Sequence, residues 1–168
     1  LLKKWADQEN IPIQIINPIS YKNTIVKSKA IREQMLSGEF NKAIASLGHS
    51  YLMIGMVVKG DQRGRSLGFP TANLEFPANK LIPNHGVYKG TVQINNKTYN
   101  AMIYIGNKPT FNQQKASVEA FILDFNGNLY DQYIYLFIES FIRAEQQFSS
   151  QSELIHQIKK DIHHAFDH

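Results

Sequence analysis

A fifteen-residue stretch, GDQRGRSLGFPTANL (60–74), concentrates residue types suited to phosphate chemistry. Gly60, Gly64 and Gly68 can take positive φ and let backbone N–H groups come close to a ligand. Successive exposed N–H groups form a concave anion site, and the guanidinium groups of Arg63 and Arg65 match phosphate oxygens. Ser66 follows Arg65, and Pro70 ends the loop. Thr71 and Asn73 follow, two apart, so on an extended strand they point to one side. A hydroxyl and an amide oxygen side by side suit a hard cation such as Mg²⁺, which prefers oxygen ligands and accompanies phosphates. No GK[ST] tripeptide follows the glycines at P-loop spacing, so the stretch is not a Walker loop. The same residue types also fit an ordinary surface loop leading into a strand.

A carboxylate set among aromatic residues is a candidate for acid–base chemistry. Glu119 alternates with Phe121, Leu123 and Phe125 and so shares a strand face with them. A carboxylate buried there without a partner is costly; a strand-end position beside a ligand pocket removes that cost, as does plain exposure. Asp124 and Glu75 are the competing acids, the first placed with a turn and the nucleotide side, the second with solvent. His156, His163 and His164 fall on a tail helix and are expected to face water.

The elements that position these groups change character along the chain. Residues 1 to about 50 mix helix and strand. IPIQII (11–16) reads as a short strand, while KSKAIREQMLSG (27–38) and NKAIASLG (41–48) read as helices stopped by glycine. From Tyr51 the texture is β. YLMIGMVVKG (51–60) is a strand, and residues 86–106 form a hairpin turning at Asn95-Asn96. Residues 118–138 read as a second hairpin, turning at Asn126-Gly127-Asn128. The tail (149–166) is an amphipathic helix capped by Ser150 or Ser152, with Leu154, Ile155, Ile158, Ile162 and Phe166 as its apolar stripe. Strands followed by one closing helix predict a mainly β fold: a small antiparallel Greek-key barrel closed by a C-terminal helix and preceded by a short α/β fragment. Closure into a barrel also removes apolar strand edges.

The bulk numbers agree. Of 168 residues, 43% are hydrophobic and 19% charged, which argues against a disordered chain. There is no cysteine, so disulfides, thiolate metal sites and a cysteine nucleophile are excluded. No apolar run is long enough to predict a membrane span, and a cytoplasmic enzyme or binding domain is expected. The formal charge of +4 and a pI near 9.2 raise the question of a nucleic-acid partner. The basic residues are scattered, however, and the aromatic strands carry few of them. A basic excess near a phosphate-bearing small ligand accounts for the charge equally well.

Five segments in order carry a family resemblance. GDQRGRSLGFPTANL resembles the signature loop of the riboflavin kinases, which phosphorylate riboflavin to FMN. LIPNHGVYKG (81–90), YIGNKPTF (104–111), VEAFILDFNGNLY (118–130) and FIRAEQQF (141–148) are similar to four further segments of that family. The resemblance implies transfer from ATP to riboflavin with Mg²⁺, giving FMN. It places Thr71 and Asn73 on Mg²⁺ and the ATP phosphates, and Glu119 as the base. It gives Gly60, Gly64, Arg65, Ser66, Gly68 and Pro70 to the phosphate side of ATP, and Ile122, Asp124 and Tyr130 to its adenine nucleotide. Arg143, Gln146 and Phe148 match flavin contacts, and an Arg plane and a Phe ring do pack well on a flat conjugated ring. One departure stands out: Asp131 occupies a position where the family pattern carries glycine.

Residues 11–48 resemble the end of an FMN adenylyltransferase domain, which in many bacteria precedes the kinase in one bifunctional chain. Ser28, Ile31, Arg32 and Gly38 agree with that pattern, while Lys27 and Lys29 replace its Ser and Thr. The expected division is therefore 1–50, an adenylyltransferase remnant, and 51–168, the kinase barrel. The H-x-G-H-type nucleotide motif of the front domain is absent from these 168 residues, so adenylyl transfer is not expected from them alone. The expected partners are riboflavin, ATP and the front domain of the parent chain, with no nucleic acid and no membrane. A non-catalytic flavin-binding regulatory barrel is the alternative that keeps the fold, and a basic nucleic-acid-binding barrel is the more distant one.

Overall fold

The structure, a computed structural model, describes residues 1–60, 62–110 and 113–166 of the chain. The front segment holds α1 (Leu2–Gln8), a small ribbon of β1 (Ser20–Tyr21) and β2 (Thr24–Ile25), and two helices, α2 (Ser28–Leu36) and α3 (Phe40–Leu47). Gly48 closes α3 in the left-handed conformation, with its N–H bonded to the Ile44 carbonyl. The expected strand at 11–16 does not form. Its residues are exposed and take no regular structure, because no neighbouring strand is present to pair with them. Among residues 1–25 only Ala6 is buried.

Six antiparallel strands then close into a barrel: β3 (Tyr51–Val58), β4 (Thr71–Glu75), β5 (Gly86–Ile94), β6 (Lys97–Thr110), β7 (Gln113–Ile122) and β8 (Tyr133–Arg143), in the order β3-β4-β7-β6-β5-β8 and back to β3. A single turn of helix, α4 (Arg63–Ser66), links β3 to β4, and α5 (Gln151–Phe166) closes the chain. Strict alternation fills the interior: Met53 and Val57, Leu74, Tyr88 and Val92, Ala101, Ile103 and Ile105, Val118 and Ala120, Ile134, Leu136 and Ile138 all point inward and are buried. Phe40 and Met35 of the front helices join this core, with Phe40 packed edge-on against Tyr88 at 5.0 Å between ring centres.

The 86–106 hairpin forms as expected, with Asn95 and Asn96 both at positive φ. The 118–138 hairpin does not. β7 pairs with β4 and β6, and β8 with β3 and β5, so the segment between them crosses one end of the barrel. Alternation identifies a strand but not its neighbours, and the Asn-Gly turn served a crossover as readily as a hairpin. β7 ends at Ile122, and Leu123 still packs beside Phe121 on the outer face, whereas Phe125 turns to the barrel core; Glu119 lies inside the strand rather than at its end.

α5 begins with Ser150 accepting the Glu153 N–H at 3.2 Å, while the Glu153 carboxylate accepts the Ser149 N–H at 3.1 Å. This reciprocal pattern approximates a capping box. The helix lays Ile162, Ala165 and Phe166 over Val87, Met102 and Phe121 on the outside of the barrel. Its buried residues are Asp161 and Ala165, which lie beside the apolar stripe read from the sequence. Among the described residues, no helix is long and apolar enough to cross a membrane.

Candidate active site

The outward faces of five adjacent strands carry one registered row of side chains. Asn73 on β4 pairs with Glu119 on β7, Glu119 with Tyr104 on β6, Tyr104 with Val87 on β5, and Val87 with Arg143 on β8. Directly paired residues of an antiparallel sheet project to the same face, so five distant segments of sequence share one surface.

At one end of the row Thr71, diagonal to Glu119, donates its hydroxyl to Glu119 Oε2 at 2.8 Å. Asn73 is only 9% exposed. Gly60 lies against its amide so closely that a Cβ at position 60 would overlap it. At the other end, Arg143 Nε donates to Asp161 Oδ2 at 2.8 Å, Gln157 Nε2 donates to Asp161 Oδ1 at 2.7 Å, and the guanidinium stands 5.8 Å from the centre of the Phe148 ring. Two donors offset the burial of Asp161, which is 5% exposed.

Two cavities flank the Thr71 end. One, of about 380 Å³, lies between the row and α5. Its walls include Phe69, Thr71, Tyr104, Glu119, Arg143 and Phe148. The other, of about 600 Å³, is bounded by Arg65, Pro70, Thr71, Ile122, the 125–129 crossover and Tyr130. Thr71 lines both. The first is mostly apolar and sized for a flat conjugated ring; the second is more polar and flanked by a guanidinium.

The residues expected from the sequence separate accordingly. Glu119, Thr71, Arg143, Gln146 and Phe148 meet at the first cavity, and Arg65, Pro70, Thr71, Ile122 and Tyr130 at the second. Asp124 lines neither; it sits exposed in the turn after β7 at φ 55°. Gly64 lines the first cavity, whereas Ser66 and Gly68 line neither. Phe111 lies outside the described residues, as does the side chain of Arg63. Asp131 takes φ 62°, the left-handed conformation in which its family counterpart is glycine.

The 60–68 loop departs from expectation in two respects. Of its three glycines only Gly68 takes positive φ; the other such residue in the described loop is Gln62, at φ 55°. Gly64 is required for a different reason, since a Cβ there would collide with the Phe69 carbonyl. The backbone N–H groups of Arg65, Leu67, Gly68 and Phe69 bond to carbonyls of the same loop. These four are therefore not free for the open anion nest read from the glycine spacing, while Arg65 lines the second cavity.

The family model for riboflavin kinase matches residues 47–168. The chain belongs to the riboflavin kinase family. Among curated relatives, the bifunctional riboflavin kinase/FMN adenylyltransferase of Bacillus subtilis (strain 168) is 34% identical over 150 residues, covering 88% of this chain and 48% of that one. The enzyme of the same name from Buchnera aphidicola subsp. Schizaphis graminum is 38% identical, covering 96% and 53%. The chain thus spans about half the length of the curated relatives it matches. Among solved structures, a Streptococcus pneumoniae protein described as a macrolide-efflux protein superposes with a TM-score of 0.89 at 32% identity, covering 99% of this chain and 54% of that one. The riboflavin kinase of Trypanosoma brucei superposes with a TM-score of 0.55 at 26% identity, covering 71% and 79%.

Several wall residues of the kinase site were not legible beforehand. Asp161 lies beside the apolar stripe of α5 and had no role attached to it. Tyr104 and Glu145 lay within recognised segments without a role attached to them. Tyr104 donates its hydroxyl to Glu145 Oε1. Burial, followed by the neighbouring Glu145 carboxylate, pushes its phenol well above the usual value, so the hydroxyl stays a donor.

Proposed function

We propose that the barrel phosphorylates the terminal ribityl hydroxyl of riboflavin with ATP, and that the chemistry occurs where the two cavities meet at Thr71 and Glu119. The observation that carries this reading is that Thr71 lines both cavities and hydrogen-bonds Glu119. Riboflavin occupies the cavity under α5, with its ring toward Arg143, Gln146 and Phe148 and its chain toward Glu119. ATP occupies the other, its adenosine against Ile122 and Tyr130 and its phosphates toward Arg65 and Thr71. Glu119 accepts the proton as the hydroxyl oxygen bonds to the γ-phosphorus. The bond from the γ-phosphorus to the β,γ-bridging oxygen breaks, and ADP leaves.

Thr71 and Asn73 are the residues that would hold Mg²⁺. The donor set fits a hard cation: a hydroxyl oxygen, an amide oxygen and the Glu119 carboxylate project from one face of two adjacent strands. Thr71 gives its proton to Glu119 and so keeps lone pairs for a metal. When bound with the nucleotide, the ion neutralises charge on the phosphate oxygens.

The front fifty residues are read as the end of an adenylyltransferase region, in a parent chain that would also convert FMN to FAD. The relatives' names support this reading.

The test is FMN formation from riboflavin, ATP and Mg²⁺ by the chain and by Glu119→Gln. The chain is expected to turn over, and the variant to lose about 10²–10⁴-fold in kcat with riboflavin binding retained. Riboflavin binding without turnover in the unmodified chain would instead favour a regulatory flavin-binding barrel.

A further inference from the structure

Between the reacting end of the row and its Arg143 end lie two strands, carrying Tyr104 and Val87. At about 5 Å per strand, Glu119 and Arg143 stand roughly 14 Å apart along the row. Resting on the proposed function, a flavin whose terminal hydroxyl meets Glu119 and whose ring lies by Arg143 and Phe148 must stretch its polyol chain across Tyr104. The walls nearby are apolar: Val87, Met102, Phe69 and Phe121. The secondary hydroxyls of that chain need partners, since a hydroxyl desolvated without one is destabilised.

One polar pair lies at the middle of the row. Tyr104, 37% exposed, donates to Glu145 Oε1, and the other oxygen, Oε2, stands 3.6 Å from His85 Nδ1. The arrangement is built into the strand: a Cβ at position 106 would strike both the Tyr104 hydroxyl and Glu145, so Gly106 lets the tyrosine fold along β6 to reach the carboxylate. An ionised carboxylate has about four acceptor sites, and these two neighbours leave capacity to spare. Glu145 is 40% exposed at the cavity wall, so a ligand can reach it.

We propose that Glu145, aimed by Tyr104 across Gly106, accepts hydrogen bonds from the secondary hydroxyls of the ribityl chain and makes the site selective for flavins that carry a polyol. Tyr104 acts as a positioning residue and Glu145 as a substrate-binding one.

The test compares riboflavin with a flavin bearing a 5-hydroxypentyl chain at the same ring nitrogen. That analogue has the same reach and a phosphorylatable terminal hydroxyl but no secondary ones. For the unmodified chain, kcat/KM is expected to favour riboflavin by about tenfold or more, from the usual strength of hydrogen bonds to a charged group. Glu145→Gln is expected to raise KM for riboflavin by about that factor, to leave the analogue within about twofold, and so to collapse the preference. Tyr104→Phe is expected to do the same more weakly, with kcat little changed. Equal loss on both substrates would overturn the proposal and leave Glu145 a clasp for the segment after β8; no loss on either would overturn it too. Failure of the unmodified chain to phosphorylate either flavin would overturn the proposed function itself, a result distinct from the other two.

Discussion

Because the Thr71 hydroxyl donates to Glu119, one side chain fixes the proposed base and still offers lone pairs toward the second cavity. Replacing it with the isosteric valine removes both services while keeping the volume. Thr71→Val is expected to lower kcat for FMN formation about 10–100-fold, the scale of one or two charge-assisted hydrogen bonds. It should also raise the Mg²⁺ concentration needed for half-maximal rate, with riboflavin KM within about twofold. A titration of rate against Mg²⁺ at saturating riboflavin reads both effects. These groups were singled out early by the resemblance of the PTAN string and the VEAFILDF segment to the riboflavin kinases; their residue types alone fit a surface loop and an exposed glutamate equally well. Asp124 sits in the turn read for it but lines neither cavity, since an acid's type says nothing about whether a turn aims it at one.

At the scale of elements, α5 does two jobs. Its apolar residues cover the outer face of the barrel, and Asp161 ties the helix to Arg143 on β8 at the first cavity. Removing one partner of a largely buried pair strands the other. Asp161→Ala is expected to lose roughly 3 kcal/mol of stability, seen as a lower urea midpoint, with Asp161→Asn losing less because the amide oxygen still accepts. No change in the midpoint for the alanine variant would show that the helix is held by its apolar contacts alone. The caps and heptad-like spacing of α5 were readable from local sequence. Its polar anchor was not, because the partner lies eighteen residues away on another element and neither residue marks the other. The 60–68 loop teaches a similar lesson. Its glycines were read as freedom of φ, yet Gly60 and Gly64 are needed for room, against Asn73 of β4 and against the Phe69 carbonyl of the loop's own turn.

The whole molecule has one continuous core running from the barrel into α2 and α3, centred on Tyr88 between Phe40 and Phe141. Burial pushes the Tyr88 phenol up to about 12, from 10.0. As pH rises from 10, the unfolded chain ionises this group first while the folded one keeps its proton, so the unfolded state is favoured. The stability tied to Tyr88 is intact below pH 10 and is lost progressively toward pH 12, at up to about 1.4 kcal/mol per pH unit. Denaturation midpoints measured across that window should fall for the unmodified chain and fall less steeply for Tyr88→Phe. Equal slopes would mean that Tyr88 is not the group responsible.

The sequence by itself marked which residues are candidates for chemistry and which alternate into a core, because side-chain type and a period of two or 3.6 are local properties. It also carried the resemblance to riboflavin kinases through five ordered segments. Only the tertiary structure decided which strands are neighbours, and hence that Asn73, Glu119, Tyr104, Val87 and Arg143 form one row. Closure of the barrel decided that 118–138 is a crossover rather than a hairpin, and the position of α5 decided where the two cavities lie. Pairing and closure depend on the register of segments far apart in the chain, and register is set by how all the strands pack together, which no single stretch encodes.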